Sequence, residues 1–154
     1  MALKVLMVCL GNICRSPLAE GILQSKVDPE HIFVDSAGTG GFHIGNKPDE
    51  RSIAVGQKYG IEIAHQRCRI FKVEDFKNFD IIYAMDKSNY DNITALAQSE
   101  SDFNKVRLLL NEVELDEKEV PDPYYDAQDG FEHVFHLLDA ACDAIALKLN
   151  TNQY

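Results

Sequence analysis

The stretch LKVLMVCLGNICRSPLAE, residues 3–20, has the pattern of a strand, a short loop and a helix in direct succession. Its first six residues are almost all apolar, which is typical of a strand that is covered on both faces of a parallel sheet. Gly11 permits a backbone conformation that is barred to other residues, Asn12 tolerates left-handed geometry, and Ser16 and Pro17 open a helix. The sequence therefore predicts a strand whose carboxyl end leads through a tight loop into a helix.

Three further apolar runs predict strands, and helical patterns lie between them. The runs are IFV at 32–34, FDIIYAM at 79–85 and VRLLL at 106–110. Helices are predicted at 52–60, after Asp86, and in a last segment whose apolar stripe extends from Phe131 to Leu149. Strands that alternate with helices favour an α/β fold with a doubly wound parallel sheet between two helical layers, a three-layer sandwich. Ligands of such sheets bind beyond the carboxyl ends of the strands, where the loop after the first strand lies.

Composition narrows the possible functions. With 154 residues, of which 45% are apolar, residues 1–154 are expected to form a single domain. A formal net charge of -10 argues against nucleic acid or an anionic membrane as a partner. No run approaches the roughly 20 apolar residues of a membrane span, and four cysteines without secretory features suit a reduced compartment, so a cytoplasmic protein is expected. The cysteines and histidines lack metal-ligand spacing, so neither a metal nor a cofactor is expected.

The loop itself predicts an anion site. A strand, a tight loop and a helix start direct several backbone N–H groups and the positive end of the helix towards one point. Arg15 adds a planar fork that can hold two oxygens of a phosphate, and this positive environment favours the thiolate form of Cys9. The predicted phosphate-binding residues are Leu10, Gly11, Asn12, Ile13, Cys14, Arg15 and Ser16.

A bare C-x5-R spacing has an ordinary explanation. Cys9 could be a buried strand residue, Arg15 a surface charge and Ser16 a helix cap. The buried strand before the loop, Gly-Asn in the turn and Ser-Pro at the helix entry together favour the functional interpretation. The dinucleotide-binding and nucleotide-binding glycine patterns are absent from the sequence.

Four motifs resemble the low-molecular-weight protein tyrosine phosphatases. They are VCLGNICRSPLAE near the N-terminus, VDSAGT at 34–39, MDKSN at 85–89 and VPDPYYD at 120–126, in this order over nearly the whole chain. The resemblance implies a four-stranded parallel sheet and hydrolysis of phosphotyrosine through a cysteinyl-phosphate intermediate. The implied partners are a tyrosine-phosphorylated protein and a phosphate or other oxyanion in the loop, with a bacterial tyrosine kinase as a candidate by analogy. A monomer or weak dimer is expected.

By the same resemblance, Asp122 is the general acid and later the general base, beside Cys9 and Arg15 as the other catalytic residues. The flanking prolines stiffen its loop. Without the resemblance an ordinary turn aspartate is the better explanation, and Asp126 and Asp129 are rivals that the entry to the last helix explains.

The resemblance also implies supporting residues. Asn12, Ser16, Ser36 and His65 match a hydrogen-bond network behind the phosphate loop, although each also suits a turn, cap or surface role. Cys14 is the implied redox partner of Cys9, since a disulfide would protect the nucleophile from over-oxidation. The candidate pocket walls are Phe42, Tyr124 and Tyr125, for which core packing is the alternative.

Two other enzyme classes use a similar loop. Thioredoxin-coupled arsenate reductases need a closely spaced distal cysteine pair, whereas this chain has only Cys68 and the distant Cys142 beyond the loop. Protein-arginine phosphatases carry Thr where this chain has Ile13, whose branched apolar side chain would crowd a guanidinium and favour an aryl phosphate. A phosphotyrosine-binding module would need neither Cys9 nor Asp122.

Overall fold

The computed structural model describes residues 2–154 and contains one four-stranded sheet. The strand order is β2-β1-β3-β4, and every neighbouring pair is parallel. This is the predicted α/β architecture. The strands are β1 (Leu3–Cys9), β2 (Ile32–Gly38), β3 (Ile81–Ala84) and β4 (Val106–Leu108).

The helices pack on both faces of the sheet, which gives the three expected layers. On one face lie α1, α2 and α6, and on the other lie α3 and α4. No helix within residues 2–154 is long and apolar enough to cross a membrane. The helices are α1 (Arg15–Lys26), α2 (Glu50–Lys58), α3 (Asp75–Asn78), α4 (Lys87–Thr94), α5 (Glu100–Asn104) and α6 (Gln128–Asn150), with a 3-10 helix at Leu109–Glu112.

β1 alternates between two apolar clusters, as a central strand must. Val5 and Met7 pack with α1 and α6 in the larger cluster, whereas Leu6 and Val8 pack with Phe76 in the smaller one. All four β1 side chains are fully buried. At about 25 cal/mol per Å² of apolar surface removed from water, this double burial fixes β1 at the centre of the sheet.

The sequence pattern located the main elements but not all of their bounds. The apolar run at 106–110 is a strand only to Leu108, after which the chain turns into the 3-10 helix. The two short helices α3 and α5 were not predicted, because four or five residues are too few for a periodic pattern. The helix predicted at 52–60 begins earlier, at Glu50, and ends before Gly60, which has a φ of 80°.

The chain changes direction at β1, and this creates the crevice for a ligand. β2 lies on one side of β1, and the chain then crosses to the other side to form β3. Cys9 is the last residue of β1 and pairs with Gly38, the last residue of β2. The loop after β1 therefore lies at the carboxyl edge of the sheet, at the switch point where α/β sheets bind ligands.

Candidate active site

The loop after β1, residues 10–14, is held through its carbonyl groups. Backbone amides donate to Leu10 O and Ile13 O, each at 2.8 Å. Side chains donate to the carbonyls of Asn12, at 2.8 Å, and Cys14, at 3.3 Å. Gly40 N bonds Leu10 O and Asp49 N bonds Ile13 O, while Cys68 Sγ bonds Asn12 O and Ser52 Oγ bonds Cys14 O.

The amides of the same loop remain available. Within residues 2–154, no backbone N–H from 10–14 donates to another protein group. The first amides of α1 follow directly, and they too have no helical partner. Because the carbonyls are bound to the body of the protein and the amides are not, the loop forms a cradle for an anion.

A chain of side-chain hydrogen bonds lies behind this cradle. Asn12 donates from Nδ2 to Ser16 Oγ at 2.9 Å and to Ser36 Oγ at 3.0 Å, and Ser36 donates to Glu20 Oε1 at 2.7 Å. Cys9 Sγ lies 3.0 Å from Ser16 Oγ. Ser16 Oγ accepts from Asn12 and has two neighbours for its one hydrogen, Cys9 Sγ at 3.0 Å and Ala37 O at 3.4 Å; when the hydrogen points at the sulfur it stabilises a thiolate. Three of the four predicted supporting residues thus meet the nucleophile through one network.

Asn12 adopts the left-handed backbone that the sequence suggested, with a φ of 56°. Its side chain also accepts from Arg69 N at 2.9 Å, so both ends of the amide are bonded. The expectation for Gly11 was wrong, because its φ is not positive. A Cβ at that position would lie 3.3 Å from Cδ2 of His43, so any other residue there would require a small shift of the His43 ring.

Gly38 is a site residue that the sequence reasoning missed. A Cβ on Gly38 would lie 2.8 Å from Leu10 O and 3.1 Å from Asn12 N, which is too close for any side chain. The phosphate loop can therefore rest against the end of β2 only if this residue is glycine. The VDSAGT motif contained this signal in its one glycine, Gly38.

Arg15 is almost completely buried at the start of α1. Its Nη1 donates to Asp86 Oδ2 at 2.6 Å and to Val120 O at 2.9 Å. Burial alone would lower the pKa of Arg15, but Cys9, Asp86 and Asp122 outweigh it and raise the pKa above its ordinary value. The guanidinium is thus a fixed positive charge. Sequence reasoning missed Asp86, although it lies within the quoted MDKSN motif.

Asp122 lies beside this guanidinium. Its Oδ2 is 3.8 Å from Nη2 of Arg15, while its Oδ1 accepts from Tyr124 N at 3.1 Å. The Asp122 side chain is 45% exposed, so its carboxyl can reach a bound molecule. Cys9, Arg15 and Asp122 line one cleft of about 380 Å³.

The predicted aromatic walls surround the mouth of the same cleft. Phe42, Tyr124 and Tyr125 all line it, and Phe42 and Tyr125 are 74% and 95% exposed. The core-packing alternative is therefore wrong for these two rings. His43, which sequence reasoning missed, also lines the cleft, with its ring centroid 6.3 Å from that of Tyr124. The rim can take a flat aromatic ring between apolar surfaces.

His65 is the predicted supporting residue that the structure leaves outside the network. It is exposed and lines a surface groove with Glu20 and Gln24, and it makes no hydrogen bond to Asn12, Ser16 or Ser36 among the described residues. The member that bonds Ser36 is Glu20. Burial raises the pKa of Glu20 to about 7, although the hydrogen bond from Ser36 opposes this shift.

The four cysteines are reduced and buried. Burial, Asp49 and Cys9 raise the pKa of Cys14 well above its ordinary value, so Cys14 stays a neutral thiol beside the nucleophile. Cys68 contacts the phosphate loop, whereas Cys142 lies in the core near Ala19 O, so the two do not form a distal pair. No three His, Cys, Asp or Glu side chains of the described chain converge as metal ligands.

A thiol and a guanidinium beside free loop amides define a class: proteins that bind an oxyanion against a nucleophilic sulfur. Comparison with known proteins identifies the family. The family model for "Low molecular weight phosphotyrosine protein phosphatase" matches residues 4–154. One relative, "Low molecular weight phosphotyrosine protein phosphatase 1" from Drosophila melanogaster, is 40% identical to this chain, and the match covers 94% of this chain and 95% of the relative.

Solved structures agree with this result. The protein tyrosine phosphatase from Entamoeba histolytica, with Hepes in its active site, is 36% identical with a TM-score of 0.92, over 99% of this chain and all of its own. Wzb from Vibrio vulnificus, in complex with benzylphosphonate, is 28% identical with a TM-score of 0.85, over 96% and 99% of the two chains. This chain belongs to the low molecular weight phosphotyrosine protein phosphatase family.

Proposed function

We propose that this protein tyrosine phosphatase hydrolyses phosphotyrosine in two in-line steps at Cys9, with Asp122 as general acid and then base. The observation that carries the proposal is the single cleft that contains Cys9, Arg15 and Asp122. A nucleophile, a cation for the phosphoryl oxygens and a proton donor are the groups that phosphate monoester cleavage requires.

In the first step, Cys9 Sγ attacks phosphorus and the bond from phosphorus to the tyrosine oxygen breaks. Asp122 gives its proton to that oxygen, so the leaving group departs as neutral tyrosine. The phosphoryl group is then bound to sulfur. The hydroxyl of Ser16, 3.0 Å from the sulfur, stabilises the thiolate before the attack.

In the second step, a water oxygen attacks phosphorus and the bond from phosphorus to sulfur breaks. The Asp122 carboxylate accepts a proton from this water, which restores the acid for the next cycle. The products are inorganic phosphate and the Cys9 thiolate. The half-exposed position of Asp122 suits both roles, because its carboxyl meets the leaving group and water on the same side.

Arg15 and the loop amides neutralise the charge on the three equatorial oxygens. The guanidinium is held by Asp86 and Val120 O before any ligand binds, so no reorganisation is needed during the reaction. The contacts of Arg15 through Nη1 leave Nη2 to bind phosphate, with Asp122 3.8 Å away.

A tyrosine-phosphorylated protein is the proposed partner, and a bacterial tyrosine kinase remains one candidate. The exposed Phe42 and Tyr125 suit a phenyl ring that enters the cleft from a protein surface. Hepes in the active site of the Entamoeba histolytica phosphatase and benzylphosphonate bound to Wzb are a sulfonate and a phosphonate, and the loop of this chain is proposed to hold the same kind of oxyanion.

The test compares Cys9→Ser and Asp122→Ala with the unchanged protein on p-nitrophenyl phosphate and phenyl phosphate. We expect Cys9→Ser to abolish turnover on both. Asp122→Ala should reduce kcat/KM for phenyl phosphate by roughly 10²-fold or more, and for p-nitrophenyl phosphate much less, because nitrophenolate leaves readily without a proton.

Asp116→Ala is the matched control, since Asp116 is an exposed carboxylate in residues 111–120, just before the segment that carries Asp122. It should leave both rates unchanged. Equal losses on the two substrates for Asp122→Ala would remove Asp122 from the acid role, and normal turnover by Cys9→Ser would overturn the covalent mechanism.

A further inference from the structure

Arg51, in the first turn of α2, is held rigidly by a neighbouring carboxylate. Its Nε donates to Asp49 Oδ1 at 3.0 Å and its Nη2 donates to Asp49 Oδ2 at 2.9 Å. Asp49 is also the N-cap of α2 and accepts from Arg51 N at 2.9 Å. A two-point contact of this kind fixes the plane of the guanidinium.

The other edge of this guanidinium is bound to the segment that carries Asp122. Nη2 of Arg51 donates to Tyr124 O at 2.9 Å, and Nη1 donates to Asp126 O at 3.1 Å. The guanidinium carbon also lies 4.5 Å from the ring centroid of Phe131 and 5.7 Å from that of Tyr124. Arg51 therefore contacts residues 121–127 through two hydrogen bonds and through the ring of Tyr124, and it contacts α6 through the ring of Phe131.

The acid segment, residues 121–127, has few other restraints. Its own hydrogen bonds are local: Asp126 N donates to Pro123 O at 2.8 Å and Tyr124 N donates to Asp122 Oδ1 at 3.1 Å. In the described part of the chain, Arg51 is the only side chain from outside the segment that hydrogen-bonds to its backbone. Pro123 is buried and also packs the segment against the rest of the protein, but a proline has no N–H to add a hydrogen bond.

The same arginine is connected to the phosphate loop. Asp49 N donates to Ile13 O at 2.8 Å, and Ile13 lies in the middle of that loop. A short path thus leads from the anion cradle through Asp49 and Arg51 to the carbonyl of Tyr124, two residues from the acid. The phosphate loop and the acid segment are far apart in sequence, and this path links them in addition to the contacts of Arg15 with Val120 O and Asp122.

We propose that Arg51 is the positioning residue that holds the carboxyl of Asp122 in line with the leaving group. The inference rests on the proposed role of Asp122. Without Arg51, the acid segment would move relative to the cradle while Cys9 and Arg15 stay in place. Phosphoryl transfer would then continue for substrates that need no proton and slow for those that do.

The experiment measures kcat/KM of Arg51→Ala for phenyl phosphate and p-nitrophenyl phosphate, in the unchanged chain and in the Asp122→Ala background. Arg67→Ala is the matched control, because Arg67 is also exposed and donates to two local backbone carbonyls, those of Ala64 and Gln66. Arg51→Lys keeps the charge but cannot bridge Asp49 and both carbonyls. A melting temperature is recorded for every variant.

We expect Arg51→Ala to reduce kcat/KM for phenyl phosphate by about tenfold or more and for p-nitrophenyl phosphate by less than about threefold, since a small misplacement of a catalytic group has effects of this size. The ratio of kcat/KM for phenyl phosphate to kcat/KM for p-nitrophenyl phosphate should be intermediate in Arg51→Lys and unchanged in Arg67→Ala. In the Asp122→Ala background, Arg51→Ala should not change the ratio further.

A purely structural role would give a different result. Arg51→Ala would then lower both rates equally, and its effect would add to that of Asp122→Ala; either outcome overturns the inference. If Asp122→Ala itself shows no leaving-group dependence, the acid role fails and the inference fails with it. If Asp122→Ala shows the dependence and Arg51→Ala does not, only the positioning role is lost.

Discussion

The phosphate loop and the acid segment are proposed to perform one reaction, but they are built in opposite ways. Residues 10–14 are held through four of their carbonyl groups and backed by the network from Cys9 to Glu20, mostly out of water. Residues 121–127 are mostly exposed, and within the described chain the hydrogen bonds that their backbone accepts from side chains outside the segment come from Arg51. The part proposed to stabilise transition-state charge is preorganised, whereas the part proposed to transfer protons is open to substrate and water.

In the phosphate loop, residues 10–14, the largest expected effect is that of replacing Asn12. Asn12→Ala removes three side-chain hydrogen bonds and strains a residue whose φ is 56°. We expect it to lower the free energy of unfolding by about 3 kcal/mol, measured in urea. Asn12→Gly removes the same bonds without the strain, so its loss of unfolding free energy should be smaller than that of Asn12→Ala by about 1 kcal/mol. Equal losses would mean that the left-handed backbone of Asn12 carries no strain.

The ion pair behind Arg15 comes next. Asp86→Asn weakens the 2.6 Å contact but leaves Arg15 its hydrogen bond to Val120 O. We expect a loss of about 2 kcal/mol in unfolding free energy and a rise of about tenfold in KM for p-nitrophenyl phosphate, because a buried cation loses its partner. Asp91→Asn, an exposed carboxylate on α4, is the control and should change neither quantity. An unchanged KM in Asp86→Asn would show that Arg15 is oriented without this carboxylate.

Glu20 makes the backing network sensitive to pH. Its pKa is raised from an ordinary value of 4.5 to about 7, so the folded chain binds this proton more tightly than the unfolded chain. The associated stability is fully present below pH 4.5 and is lost as pH rises through 7. As pH rises from 5 to 8, the unchanged chain should lose roughly 2.5 kcal/mol of unfolding free energy that Glu20→Gln does not lose. If the unfolding free energies of Glu20→Gln and the unchanged chain, measured in urea, depend on pH in the same way, the raised pKa of Glu20 is contradicted.

The smallest effect is expected at His65, at the edge of the same region. Because it is exposed and outside the network, His65→Ala should change the unfolding free energy by no more than about 0.5 kcal/mol. Ser36→Ala removes bonds to both Asn12 and Glu20 and should cost about 1 kcal/mol or more. A larger loss for His65→Ala than for Ser36→Ala would bring His65 back into the network that the family resemblance implied.

Local sequence patterns predicted the rigid half well, because its parts are contiguous. The apolar run of β1, the turn at Asn12 and the start of α1 follow one another in the chain. The bounds of β4 and the short helices were not predictable, since three to five residues have no clear period and take their structure from packing. Gly11 was assigned a backbone role that it does not have, because sequence cannot distinguish a positive φ from close packing against His43.

The sequence by itself predicted a strand, a tight loop and a helix, which the structure contains, and a thiol and a guanidinium that line one cleft. That much follows because backbone sterics and hydrophobic burial act over short stretches of chain. Only the tertiary structure decided that Asp86 holds Arg15, that Glu20 rather than His65 bonds Ser36, and that Arg51 binds the acid segment. These contacts join residues from separate elements, and their distances depend on how the whole sheet and its helices pack.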